Sequence, residues 1–108
     1  MAITHLLRQT AVIRNPSGTT DLHGKPTLST GTTVKARFER THKTIVTAQR
    51  EREPIHGIVF VSPDTTVEIG AKVTYDSQDY RVIDRADVVG RNGQVHHYEL
   101  FCQLWSFA

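Results

Sequence analysis

The residues best equipped for chemistry stand near the end of the chain, in Val95-His96-His97-Tyr98-Glu99-Leu100. Two histidines and a glutamate are the ingredients of a metal site or an acid–base pair. The alternation of apolar and polar residues from 94 to 105 predicts a strand, on which successive side chains point to opposite faces. One face then holds His96, Tyr98, Leu100, Cys102 and Leu104, and is the candidate core face. The other holds Val95, His97, Glu99, Phe101, Gln103 and Trp105. On that reading the two histidines point apart and cannot bind one ion. His97 and Glu99 share a face, but a site needs further ligands, and His5, His23, His42 and His56 show no ligand spacing.

Other catalytic patterns are missing from the text. There is no GxxxxGK[ST] phosphate loop and no GxSxG elbow. Cys102 is the only cysteine, which excludes an intramolecular disulfide and a thiolate cluster. Its mid-strand position on the core face predicts an inert packed thiol rather than a nucleophile. Asp76, Asp79, Asp84 and Asp87 gather around one hairpin and read as turn chemistry. The expectation is a protein with no catalytic residues, no metal and no cofactor.

The elements that hold these residues have period two almost throughout. At 108 residues there is room for one domain, which buries about 65% of its unfolded surface. The apolar fraction of 38% and a mean hydropathy of −0.35 predict a modest core. Strands are expected at 8–14, 34–40, 55–61, around Val73–Tyr75, around Tyr80–Val82, and at 94–105. Asn92-Gly93 is the strongest hairpin dipeptide. The expected fold is all-β: a single small antiparallel β-barrel of about six strands, closed or nearly so, spanning 1–108. Its expected core is Phe38, Ile58, Phe60, Val73, Tyr75, Tyr80, Val82, Tyr98, Leu100, Cys102 and Leu104.

Two long loops interrupt it. Residues 15–33 are rich in Gly, Pro, Ser and Thr. Residues 41–54 carry Ile45-Val46 and the alternating run Arg50-Glu51-Arg52-Glu53, and read as a short helix or a mobile arm. Loops this long inside a small domain are usually functional or disordered. Charge is uneven: residues 1–54 carry nine Lys/Arg against four Asp/Glu, and residues 55–108 carry four against seven. Such a split suits a surface that meets an unlike partner. The longest apolar run, Ile58-Val59-Phe60-Val61, is too short to span a bilayer, and MAITHLLRQT lacks the apolar centre of a signal peptide. The expectation is a soluble product of a cytoplasm with no membrane partner.

The layout of residues 67–104 resembles the head-closure (stopper, or head–tail joining) proteins of long-tailed phages. The resemblance rests on Ile69-Gly70, then Val73-x-Tyr75, a turn, Tyr80-x-Val82, a turn at Gly93, and His97-Tyr98 leading to Gln103-Leu104. Earlier in the chain, Asp21-Leu22-His23-Gly24 and Val34-Lys35-Ala36-Arg37 are similar too. The family often has a glycine in the hairpin turn where this chain has Asp76-Ser77-Gln78-Asp79.

The resemblance implies a structural component of the virion neck, assembled in the host cytoplasm as a homo-oligomeric ring of six or twelve copies. Portal and adaptor proteins would lie above it, a tail-terminator protein below, and packaged DNA in its channel. It implies that residues 41–54 face the channel, through Lys43, Ile45, Val46, Gln49, Arg50, Glu51, Arg52 and Glu53. It implies too that Asp21, Leu22, His23 and Lys25 meet a neighbouring subunit or ring. The alternative reading is a small-barrel nucleic-acid-binding module, which needs aromatics beside cations on one exposed face. Tyr75, Tyr80 and Tyr98 are expected to point inward, against that alternative.

Overall fold

The computed structural model describes residues 7–20, 26–47 and 49–105. Eight strands follow in chain order: β1 (Gln9–Arg14), β2 (Pro16–Thr20), β3 (Pro26–Leu28), β4 (Thr32–Val46), β5 (Arg52–Val61), β6 (Lys72–Tyr75), β7 (Gln78–Val89) and β8 (Val95–Leu104). Six of them close into an antiparallel barrel in the order β1-β4-β5-β8-β7-β6, and β2 and β3 pair separately. The expected all-β, six-stranded barrel is what forms.

Six strands enclose a narrow lumen, so the residues that fill it must be small or slender. Ala11, Ala36, Ala71, Val59, Val61, Val73 and Val82 are buried to 2% exposure or less, together with Leu100 and Cys102. At one level the lumen admits rings. Phe38 stacks on Tyr75 (centroids 4.7 Å apart, planes 13° apart) and leans on Tyr80 at 4.8 Å. The space for Phe38 comes from Gly57 on the facing strand: a Cβ there would collide with the Phe38 ring. Where β1 begins, the Gln9 side chain continues the ladder, its Oε1 accepting the Phe38 N–H at 2.7 Å.

Val73, Tyr80, Val82, Leu100 and Cys102 lie in the core as expected, and Phe38, Tyr75 and Tyr98 are half-buried against it. Two expectations need correction, for Phe60 and Leu104. Phe60 is not a core residue; it lies on the outer wall, half-buried, with the Arg37 guanidinium 6.0 Å from its ring centroid. Ile58 is buried as expected, on the face of β5 opposite Val59 and outside the cluster that fills the lumen. Leu104 is 46% exposed because it sits at the rim, opposite Tyr80 in the last β7–β8 pair. In β5 the larger apolar residues marked the wrong face, since a narrow lumen takes Val59 and Val61 instead.

Both long loops are largely strand. Within 15–33, β2 pairs with β3. The Ser17 hydroxyl donates to the Thr27 carbonyl at 3.1 Å and is hydrogen-bonded to the Thr27 hydroxyl, and the Ser29 N–H donates to Asn15 O at 2.8 Å. Asp21, Leu22, His23 and Lys25 fall outside the described residues. Segment 41–54 is neither helix nor loose arm: β4 and β5 run on past the barrel as a paired hairpin, with Lys43 opposite Ile55, Thr44 opposite Pro54, Ile45 opposite Glu53 and Val46 opposite Arg52. The β-branched run Thr44-Ile45-Val46 favours this extended form.

Two outcomes are expected. Gly57→Ala forces the Phe38 ring out of its seat and destabilises the fold by about 1–3 kcal/mol, read as a lower denaturant midpoint. Burial pushes the Cys102 thiol up to about 12 from 9.0, so at alkaline pH the unfolded chain sheds a proton that the folded chain keeps. Stability therefore falls as pH rises above 9.0, by about 1.4 kcal/mol per unit. Burial also raises Tyr80 above 10.0, so the thiol acts first. Between pH 9 and 10, Cys102→Ala should remove most of that slope in denaturant melts.

Candidate functional site

The histidines at 96 and 97 do meet, against the expectation from simple alternation. In the β7–β8 ladder Val88 faces His97 but Val89 faces Val95, which leaves His96 as an extra residue. A bulge of this kind re-aims side chains. His96 Nδ1 and His97 Nδ1 lie 2.8 Å apart, with ring centroids at 5.1 Å. One nitrogen must carry the proton while the other offers its lone pair. His97 Nε2 is 3.8 Å from Glu99 Oε1, too far for a hydrogen bond. Among the described residues no group of three His, Cys, Asp or Glu side chains converges as a metal site.

The acids that the sequence groups together are separately occupied. Asp79 accepts from the Thr74 hydroxyl at 2.7 Å and pairs with Lys72 at 3.4 Å. The Thr74 bond leads in holding its carboxyl below the usual range, with Lys72 helping and burial opposing. Asp84 Oδ1 accepts the Arg85 N–H at 2.9 Å, and Asp87 pairs with Arg85 Nε at 3.1 Å. Asp76 and Ser77 form the two-residue β6–β7 turn, both with left-handed φ (51° and 63°), a conformation that favours glycine or aspartate.

The hairpin of β4 and β5 runs on past the barrel wall, beyond the pairing of β4 with β1 and of β5 with β8. At its tip the Thr47 N–H donates to Glu51 O and the Arg50 N–H to Thr47 O, both at 2.9 Å. Arg50 takes a left-handed φ of 62°, a position that usually falls to glycine. Holding an arginine there costs about 1 kcal/mol and keeps a cation at the tip. Val46 beside it is 62% exposed. The alternating run divides between the turn, which holds Arg50 and Glu51, and β5, which begins at Arg52. Thr47, Gln49, Glu51 and Glu53 line an open groove of about 260 Å³ together with Ile69, Arg81, Ile83 and Gln103 of the barrel; Arg50 and Arg52 do not. Gln103 fastens the hairpin to β8, its Nε2 donating to Glu53 Oε2 (3.0 Å) and to Pro54 O (2.8 Å).

Lys43, Ile45, Val46, Gln49, Arg50, Glu51, Arg52 and Glu53 lie along this hairpin and its turn. Three residues that sequence reasoning left out belong to it: Gln103, which ties it down, and His42 and His56, whose rings meet edge-on at 6.1 Å across the strand pair. Strand pairing over 41–54 was the signal that would have joined His42 to His56. The β2–β3 hairpin enters at the opposite end of the barrel, where Ile13 pairs with Thr32. Its base is tied by Asn15, whose Nδ2 donates to Thr66 O (3.0 Å) and whose Oδ1 accepts the Glu68 N–H (2.9 Å).

No protein-family model matches the sequence, and a search of the curated proteins finds no match. Among solved structures, a chain in the virion of a native gene transfer agent (GTA) particle is similar to this one, with a TM-score of 0.53. The match covers 94% of this chain and 97% of that chain, at 14% identity. The two share a fold.

Gln103→Ala removes both ties to the hairpin. Amide exchange of residues 44–52 should then quicken about five- to tenfold, the weight of roughly one net hydrogen bond. Exchange in Val59, Val82 and Leu100 should stay as it is.

Proposed function

We propose that this protein is a structural component of a phage-like virion and takes the head-completion, or stopper, position. In this reading copies form a ring of six or twelve under the portal and adaptor, retain packaged DNA and offer a lower surface to the tail terminator. The observation that carries it is the full-length fold shared with a chain of a gene transfer agent virion. The residue pattern from Ile69 to Leu104 supports the same position in the neck.

The architecture suits that task. A barrel closed by hydrogen bonds on all sides is a rigid block, and its two insertions leave from opposite ends. One block can then contact different neighbours along an axis while its wall meets identical neighbours around it. The β4–β5 hairpin is the element assigned to the channel. Its cations Lys43, Arg50 and Arg52 would meet phosphates, while Glu51 and Glu53 turn to the groove on the protein's own surface. The nucleic-acid-module alternative loses ground because Phe38, Tyr75 and Tyr80 stack on one another inside the barrel instead of presenting ring faces to bases.

The test is deletion of the gene in the particle-producing host, followed by electron microscopy and a nuclease assay. Head completion requires filled heads that leak their genome and lack tails; normal tailed particles would remove the proposal. A finer version deletes only residues 43–52. The barrel pairs from Arg40–Gly57 inward are untouched by that deletion, so the subunit should fold and enter particles, yet DNA should become nuclease-sensitive.

A further inference from the structure

Two walls of the barrel carry unlike charge that the subunit itself leaves unanswered. On β1, β6 and β7 the ladder sets Arg14 opposite Lys72 and Lys72 opposite Arg81. Their neighbours Ile13, Val73, Tyr80 and Val82 fill the core, so alternation turns the three cations outward in one row. Like charges directly opposite one another repel. Asp79 answers Lys72 at 3.4 Å, while Arg14 Nη1 reaches the Thr74 hydroxyl at 3.5 Å. Among the described residues neither Arg14 nor Arg81 forms an ion pair; Glu51 and Glu53 stay beyond that distance across the groove they share with Arg81. Apolar surface accompanies the row. The Trp105 ring lies 5.2 Å from Lys72 Nζ, and Ile69, in the same groove as Arg81, is 52% exposed.

The outward face of β5 and β8 is the complement. Its rows join Ile58 to Phe101 and Phe60 to Glu99, and β7 extends them with Asp84 opposite Phe101 and Ala86 opposite Glu99. Phe60 and Phe101 are only half-buried, on a wall where alternation calls for polar residues. The cation beside Phe60, Arg37, is paired with Glu39 at 3.3 Å. Asp84 accepts the Arg85 backbone N–H, and Glu99 stands 3.8 Å from His97. Among the described residues neither acid is matched by a lysine or an arginine side chain.

We propose that these two walls bind each other between copies of this chain, the basic row of one subunit seated on the apolar and acidic wall of the next. Arg14 and Arg81 then face Asp84 and Glu99, and Trp105 covers Phe60 and Phe101. Aromatic side chains and arginine are what the centre of an interface favours, and opposite potentials fix its register. In the closed strand order β8 stands two strands from β6, and β5 stands three. The walls therefore look to different sides, and one neighbour cannot cover both. The contact is head-to-tail, and its repetition closes a ring or runs on as a filament. A nucleic acid would answer the cations but leave Phe60 and Phe101 in water; a second copy answers both. This contact rests on the reading of the protein as a ring-forming virion component and names the surfaces by which its copies meet.

The full-length chain is followed by sedimentation velocity over a concentration series at low and high salt. Self-association should appear and weaken with salt. Arg81→Glu and Glu99→Lys each set like charges together across the contact and should weaken it about tenfold or more. Each variant keeps one wall intact, so a mixture of the two should associate where neither does alone, which also shows that both are folded. Arg91→Glu, on the β7–β8 turn, should change nothing. A chain that stays monomeric throughout, a mixture no larger than its parts, or an equal loss in Arg91→Glu would overturn the contact. So would a mixed-sequence DNA duplex bound by the wild type and lost in Arg81→Glu, which assigns the row to nucleic acid. Association of the expected kind alongside normal tailed particles from the gene deletion would keep the contact and discard the head-completion role. Leaking heads from the deletion with a monomeric chain would do the reverse.

Discussion

The contact between the Phe38 ring and the bare backbone of Gly57 sets the terms for the rest of the molecule. A closed six-stranded barrel leaves little room inside, and an aromatic layer fits only where the facing strand gives up its side chain. With Gly57 in place, Phe38 rests on Tyr75 and Tyr80 and joins β4 to β6 and β7 across the lumen. Those rings draw together strands far apart in sequence, so one layer supports closure. The other levels need only alanine, valine and an occasional leucine or cysteine. That is why an apolar fraction of 38% suffices for a complete core.

Closure with short strands needs bends, and bulges supply them. The β7–β8 ladder has two that compensate: Ile83 is an extra residue on β7, and His96 is an extra residue on β8. Between them the parity of β7 is reversed, so Arg85 and Asp87 take the face shared with Leu100 and Tyr98. Arg85 lies 4.5 Å over the Tyr98 ring and reaches the Val67 carbonyl at 3.4 Å, which closes that end of the barrel. The bulge in β4 has another consequence. It falls where β5 leaves the barrel, and beyond it the hairpin follows its own register. All three irregularities lie where chemistry-bearing residues collect.

The same irregularities mark the limit of what the sequence made legible. The six barrel strands, the Asp76-Ser77 turn and the buried row Val73, Tyr80, Val82, Leu100, Cys102 follow from period two and turn chemistry, because those segments obey local rules. The meeting of His96 with His97 does not, since one extra residue in a ladder is invisible until the partner strand is known. Segment 41–54 misled for a related reason. Its charges and Pro54 read as loop, but pairing satisfies their backbone while the side chains stay in water. Phe60 shows the opposite error: size suggested the core, and the width of the lumen assigned it to the wall.

Charge acquires meaning from this arrangement rather than from totals. Read along the chain, Arg50-Glu51-Arg52-Glu53 nearly cancels. In the fold it separates, because the turn at Arg50 leads into β5 and the groove takes Glu51 and Glu53 but neither arginine. Glu51 and Glu53 then line a groove that also holds Arg81, and the arginines are left for whatever approaches from outside. The net charge of +2 therefore understates what a partner would meet at the hairpin. The strand pairing of 41–54 is thus both the structural finding that departs most from the sequence and the reason the charge pattern can act.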